Sequence, residues 1–144
     1  MATLSEFATR GKVIAHSEGE IVFAPCHTNY RLHLRPCGQY EGGNGQMIRA
    51  VVHAKALKVY TVPSGGGFIA PLFGPPRTIQ GRVLFVDQAK MVLRAGFPIV
   101  VELPISADAV DLAQGPIALG AIVNVVAQPG AQLEFLTDLA HVAR

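Results

Sequence analysis

Apolar and polar residues alternate along much of this chain with the period of two that a half-buried β-strand demands. Tyr30-Arg31-Leu32-His33-Leu34-Arg35 is the clearest case: Tyr30, Leu32 and Leu34 fall on one side, Arg31, His33 and Arg35 on the other, and Pro36 ends the run. Upstream, 11–17 (GKVIAHS) predicts a strand, Glu18-Gly19-Glu20 a tight turn and 21–24 a second strand, before 25–29 breaks the pattern. The Gly-rich stretch 38–45 predicts an irregular loop, and 47–62 returns to strand composition with the last two strands of the unit. Segment 63–76 (PSGGGFIAPLFGPP) has no period and is punctuated by Gly and Pro, which predicts a linker.

The same order then repeats. Gly81-Arg82-Val83-Leu84-Phe85 restates Gly11-Lys12-Val13-Ile14-Ala15 at a distance of 70 positions, and Lys90-Met91-Val92-Leu93 matches Glu20-Ile21-Val22-Phe23. A one-residue deletion sets Ile99, Val101 and Leu103 against Tyr30, Leu32 and Leu34, while Gly115, Ile117 and Ile122 follow Gly45, Met47 and Val52. The expected fold class is all-β: two consecutive five-stranded OB-like Greek-key barrels related by an internal repeat of about 70 residues. The expected boundaries are 1–62 for the first barrel, 63–76 for the linker and 77–144 for the second barrel with a short tail. Within the second unit, 106–114 predicts a helical turn capped by Ser106, Gln128-Pro129-Gly130 a hairpin turn before a last strand at 132–136, and 138–144 a final helical turn.

Two motifs resemble the TOBE and Mop modules, OB-like barrels found as tandem pairs in small molybdate-binding proteins. Gly-Lys-Val-Ile at 11–14 and Gly-Arg-Val-Leu at 81–84 look like the module's first strand. Residues 48–56 (IRAVVHAKA) look like its fourth strand, ending near a lysine before a small residue, and 120–127 (GAIVNVVA) is the weaker counterpart. The resemblance implies a tandem OB-like fold, an oligomer, and oxyanions such as molybdate held at subunit interfaces. The module's Ser/Thr-rich anion-binding stretch is not present, and the linker is foreign to it.

Composition narrows the function classes. Only 15% of residues are charged and 50% are apolar, against about 25% charged in an ordinary soluble domain. Apolar surface in excess predicts cover by another subunit, hence a homo-oligomer; a tightly closed barrel of short strands is the alternative. A net charge of +2 does not point to nucleic acid by itself. No apolar stretch reaches the roughly 20 residues of a membrane helix, 1–12 lacks the apolar centre of a signal peptide, and two cysteines predict free thiols in a cytoplasmic setting.

The candidate ligand-binding residues are Arg31, His33 and Arg35 on the third strand, with His53 and Lys55 added from the fourth. Residues 1–76 carry seven Lys+Arg against four Glu, whereas the remainder carries five against six acidic residues, so the positive charge sits in the first unit. A basic strand face on an OB-like barrel suits a phosphate-bearing or oxyanion partner, or nucleic acid, although the aromatic platform that nucleic acid needs is missing. A plain solvated face is the alternative reading of the same pattern. Phe68, Ile69, Leu72 and Phe73 in the linker are the candidate interface, tucked between the barrels or docked on a neighbouring subunit. Cys26, His27, His33 and Cys37 lack the close Cys pairs of a zinc site, and Ser64-Gly65-Gly66-Gly67 lacks a following helix and a lysine, so neither predicts a metal or a phosphate loop. No G-x-S-x-G elbow and no Ser–His–acid set is evident. The expected function is non-enzymatic binding or assembly without a cofactor.

Overall fold

The computed structural model describes residues 4–136. Its regular structure is all-β apart from two short 3₁₀ turns, Leu4–Phe7 and Ala107–Ala109. Twelve strands follow in chain order: β1 (Thr9–Ser17), β2 (Glu20–Pro25), β3 (Arg31–Pro36), β4 (Met47–Val62), β5 (Phe68–Ala70), β6 (Phe73–Gly74), β7 (Thr78–Val86), β8 (Lys90–Arg94), β9 (Pro98–Glu102), β10 (Val110–Asp111), β11 (Ile122–Ala127) and β12 (Gln132–Phe135). No helix among the described residues is long and apolar enough to cross a membrane.

All twelve strands belong to one mixed sheet, and its neighbour relations close on themselves twice. One ring of pairings runs β1–β2–β3–β12–β4 and back to β1; the other runs β4–β11–β7–β8–β9 and back to β4. In the first ring β12 lies parallel to β3 and antiparallel to β4; in the second, β4 lies parallel to β9 and antiparallel to β11. The long strand β4 therefore serves both rings. It runs 16 residues because MIRAVVHAKALKVYTV contains no Gly or Pro to turn it, whereas the corresponding stretch near the C-terminus is broken by Gln128-Pro129-Gly130, with Gly130 at φ 93°. The sequence anticipated two strands within 47–62; without a breaker they form one.

Ring membership consequently does not follow the boundaries 1–62, 63–76 and 77–144. The ring built on the N-terminal strands takes β12 from the far end of the chain, and the other takes the second half of β4. Residues 63–76 hold β5, which pairs with β7, and β6, which pairs with β3, so this connector is a strap stitched to both rings.

Local details recur 70 positions apart. Both β1–β2 and β7–β8 carry a one-residue bulge, at Ile14 and at Leu84. Each strand opens near a glycine forced by close approach: a Cβ on Gly11 would lie 2.5 Å from the Phe23 ring and 2.7 Å from the Ala24 carbonyl oxygen, and one on Gly81 would strike the Arg94 backbone. The third strands align differently from expectation. Leu32 pairs with Phe23 and Ile99 with Leu93, so Ile99 stands in the place of Leu32 and not of Tyr30. The turn between β8 and β9 is shorter than its counterpart by more than one residue.

Inward positions of both rings merge into one core, from Val13, Phe23, Leu32 and Leu133 to Val83, Leu93, Ile99 and Val125. Tyr30 stands at the junction. Its hydroxyl donates to the Ala95 carbonyl at 2.9 Å and accepts from the Ile69 N–H at 3.0 Å, and its ring meets Phe97 edge-on at 6.0 Å. A smaller cluster of Val51, Val92 and Val100, covered by Phe7, Phe85 and Leu136, packs on the opposite side of the sheet. The Ser106 cap is present, its side chain accepting from the Asp108 N–H, and β12 follows the 128–130 turn as its residues require. The helical turn expected at 138–144 lies outside the described residues.

Candidate functional site

Alternation on β3 holds: Leu32 and Leu34 are buried while Arg31 and Arg35 are exposed and His33 is half-buried on the outer side. The outer side is nevertheless not one continuous basic face. Arg31 lies over the Phe73 ring of the strap, with its guanidinium carbon 6.0 Å from the centroid. His33 Nδ1 approaches Glu20 Oε2 at 3.4 Å. Arg35, at the other end of the strand, lies against the turn at Gly130, and its backbone N–H donates to the Ala131 carbonyl at 2.8 Å.

Arg35 opens into a cleft of about 810 Å³ that His53 and Lys55 also line. Three of the five predicted ligand residues therefore converge, and Arg31 and His33 do not. Period-two geometry puts His53 and Lys55 on the same side of β4. His53 Nε2 meets Glu134 Oε1 at 2.7 Å, which ties β4 to β12. The register then sets Lys55 of β4 beside Glu102 of β9, and Glu102 beside Lys90 of β8, a row of cation, anion and cation across three adjacent strands. Among the described residues none of Arg35, Lys55 and Lys90 is in an ion pair.

Two loops wall the cleft. In the β7–β8 turn, Asp87 Oδ1 accepts the Lys90 and Ala89 N–H groups, each at 2.8 Å. These bonds, that of Lys90 first, hold the Asp87 carboxyl below its ordinary pKa. The second wall is the β11–β12 turn, where the Gln128 N–H donates to the Lys55 carbonyl at 2.8 Å. Gln88, Gln128 and Gln132 line the same space. Lys90, Glu102 and these glutamines escaped the sequence reading. The signal available for Lys90 was its place in the repeat: it occupies the position of Glu20, so the two units differ in charge at the same point.

The linker residues part company. Ile69 is 2% exposed and belongs to the core, whereas Phe68, Leu72 and Phe73 are 38%, 50% and 64% exposed. The glycine stretch after Ser64 is exposed but anchored at two points: the Gly66 carbonyl accepts from Gln80 Nε2 at 2.8 Å, and a Cβ at Gly67 would lie 2.7 Å from the Arg94 carbonyl oxygen. Cys26 and Cys37 are free thiols, half-buried and exposed respectively. Burial of the sulfur, and secondarily the Glu134 carboxylate, push the Cys37 thiol up. Among the described residues no three His, Cys, Asp or Glu side chains gather as metal ligands would.

The resemblance read from the sequence agrees with this structure at the level of a sheet-rich all-β fold. No protein-family model, curated protein or solved structure matches the chain.

Proposed function

We propose that the two rings are OB-like barrels that exchange their fifth strands, and that the chain is a non-enzymatic protein binding a phosphate-bearing or oxyanion ligand in the cleft of Arg35, His53, Lys55 and Lys90. The order first–second–third–fifth–fourth, with the fifth strand parallel to the third, suits that fold for both rings. On this reading the β7–β8 turn is the loop between strands one and two of its ring, and the β11–β12 turn follows strand four of that ring and leads into the exchanged fifth strand of the other. Those are the loops that OB units use for ligands. The observation that carries the reading is the convergence of Arg35, Lys55 and Lys90, from three strands, on one cleft of about 810 Å³, none of them in an ion pair among the described residues.

Among the described residues no Phe, Tyr or Trp lines the cleft, so they offer no platform on which nucleobases stack, and a small anion fits it better than a nucleic-acid strand. The test is calorimetric titration of the full chain with inorganic phosphate, pyrophosphate and molybdate. Binding is expected to weaken steeply as ionic strength rises from about 0.01 M to about 1 M, where the screening length shrinks from about 30 Å to about 3 Å. Lys90→Ala and Arg35→Ala are each expected to weaken it further. Binding indifferent to salt, or none, removes this reading; molybdate held far more tightly than phosphate favours a tandem-Mop-like role.

A second reading, a structural homo-oligomer, is favoured by the strap. Phe68, Leu72 and Phe73 are exposed on a connector held to both rings. Replacing Phe68 and Phe73 together by Ser is expected to dissociate the assembly in sedimentation, and an unchanged mass removes the strap as the interface.

A further inference from the structure

Resting on the anion-binding reading, we propose that the ligand of this cleft is a phosphorylated sugar or polyol, with its phosphate on the lysines and arginine and its hydroxyls on Glu102 and the glutamines. Three cations (Arg35, Lys55, Lys90) and one carboxylate (Glu102) line the cleft, a formal net of +2, which the Asp87 carboxylate of the β7–β8 turn, interacting with Lys90, lowers toward +1. A phosphate monoester carries about −1.5 to −2 at neutral pH, so a single such group is enough to neutralise the cleft.

The carboxylate is the telling member. A site for bare phosphate gains nothing from an exposed anion standing in register between two of its lysines, because it repels the ligand. An ionised carboxylate accepts hydrogen bonds only, and a ligand that brings hydroxyl donors satisfies it. Gln88, Gln128 and Gln132 add amides that both donate and accept, the combination that hydroxyl groups require. Gln88 and Gln132 have no side-chain hydrogen-bond partner among the described residues, and the Gln128 amide reaches only the Ala56 carbonyl, at 3.5 Å. Leu103 and Pro104 give an apolar wall for the C–H face of a sugar. The volume of about 810 Å³ is that of a small-molecule site.

The experiment compares inorganic phosphate, glycerol phosphate, ribose phosphate, glucose phosphate and free glucose by calorimetry on the full chain. At least one of the three organic phosphates is expected to bind about tenfold tighter than inorganic phosphate, the worth of one or two ordinary hydrogen bonds. Glu102→Gln, checked for an unchanged melting temperature, is expected to erase that preference while phosphate itself binds equally or better. Arg35→Ala is expected to weaken every phosphate in the panel alike. Organic phosphates that bind no better than inorganic phosphate overturn this proposal and leave the anion site standing. A preference that survives both Glu102→Gln and Gln88→Ala also overturns it, because the hydroxyls are then read elsewhere. Failure of the whole panel removes the anion reading as well.

Discussion

Replacing Tyr30 by Phe isolates the hydroxyl that joins the two rings to the strap. The ring keeps its place, because its edge-on contact with Phe97 and its position in the core do not involve the oxygen. What disappears is one acceptor for the Ile69 N–H, at 3.0 Å, and one donor to the Ala95 carbonyl, at 2.9 Å. Both partners are backbone groups of residues buried to 2% and 0% exposure, so water does not reach them readily. A buried polar group left without a partner costs about 1–3 kcal/mol. Two of them cost about 3 kcal/mol once the carbonyl's weaker demand is allowed for. With a urea dependence of about 2 kcal/mol per molar, the unfolding midpoint drops by roughly 1.5 M. Tyr40→Phe is the control. Its hydroxyl donates to the exposed Gly43 carbonyl at 2.8 Å, and its loss is expected to change stability by no more than about 0.5 kcal/mol. The assay is equilibrium urea unfolding followed by circular dichroism. Equal midpoints for Tyr30→Phe and Tyr40→Phe, with unchanged slopes, refute the claim that the Tyr30 hydroxyl holds the junction.

The same residue gives the stability an alkaline limit. Burial, the larger influence, raises the Tyr30 pKa above 10.0, and the hydrogen bond from the Ile69 N–H pulls it back in part. Folded Tyr30 thus keeps its proton to higher pH than the unfolded chain, so this stability is whole below about pH 10 and is lost as pH rises through the folded value; the Phe variant should show a flatter alkaline profile. Gly81→Ala drives a Cβ into the Arg94 backbone and is expected to cost about 1–3 kcal/mol in the same denaturation assay, while Gly43→Ala, with nothing within 4 Å, is expected to be neutral or slightly stabilising. Leu133→Ala empties a position of 0% exposure on β12 and is expected to cost about 2–5 kcal/mol. It should also speed hydrogen exchange at Arg35 and Cys37, whose N–H groups donate to the Ala131 and Leu133 carbonyls at 2.8 and 2.9 Å; unchanged exchange there disproves the role given to β12.

Much of the strand layout was legible because period-two patterning is local. The run 30–35 declares its own buried side, and the glycines at 11 and 81 announce equivalent corners. Pairing partners are another matter. Nothing in Gln132-Leu133-Glu134-Phe135 says that it closes against β3 some 97 positions earlier, at Arg35 opposite Gln132, since alternation records which side is buried and not against what. The site divided along the same line. Arg31 and Arg35 share a face, but β6 pairs at one end of β3 and β12 at the other, so the two side chains have different neighbours. Lys90 and Glu102 acquire their meaning only beside Lys55, in strands that the sequence keeps far apart.

The pairing of β12 with β3 and β4 also sets the order in which the molecule is finished. The N-terminal ring lacks its fifth member until residues 132–135 have been made, although its first four strands are complete by the middle of β4. During synthesis Arg35 and Pro36 of β3 and residues 50–53 of β4 therefore lack their β12 partner until the last strand emerges, and open edges of this kind invite association with other chains. Contacts of such long range make for slow folding. The ring begun first is closed last, and a truncation near the C-terminus is felt at the opposite end of the sequence.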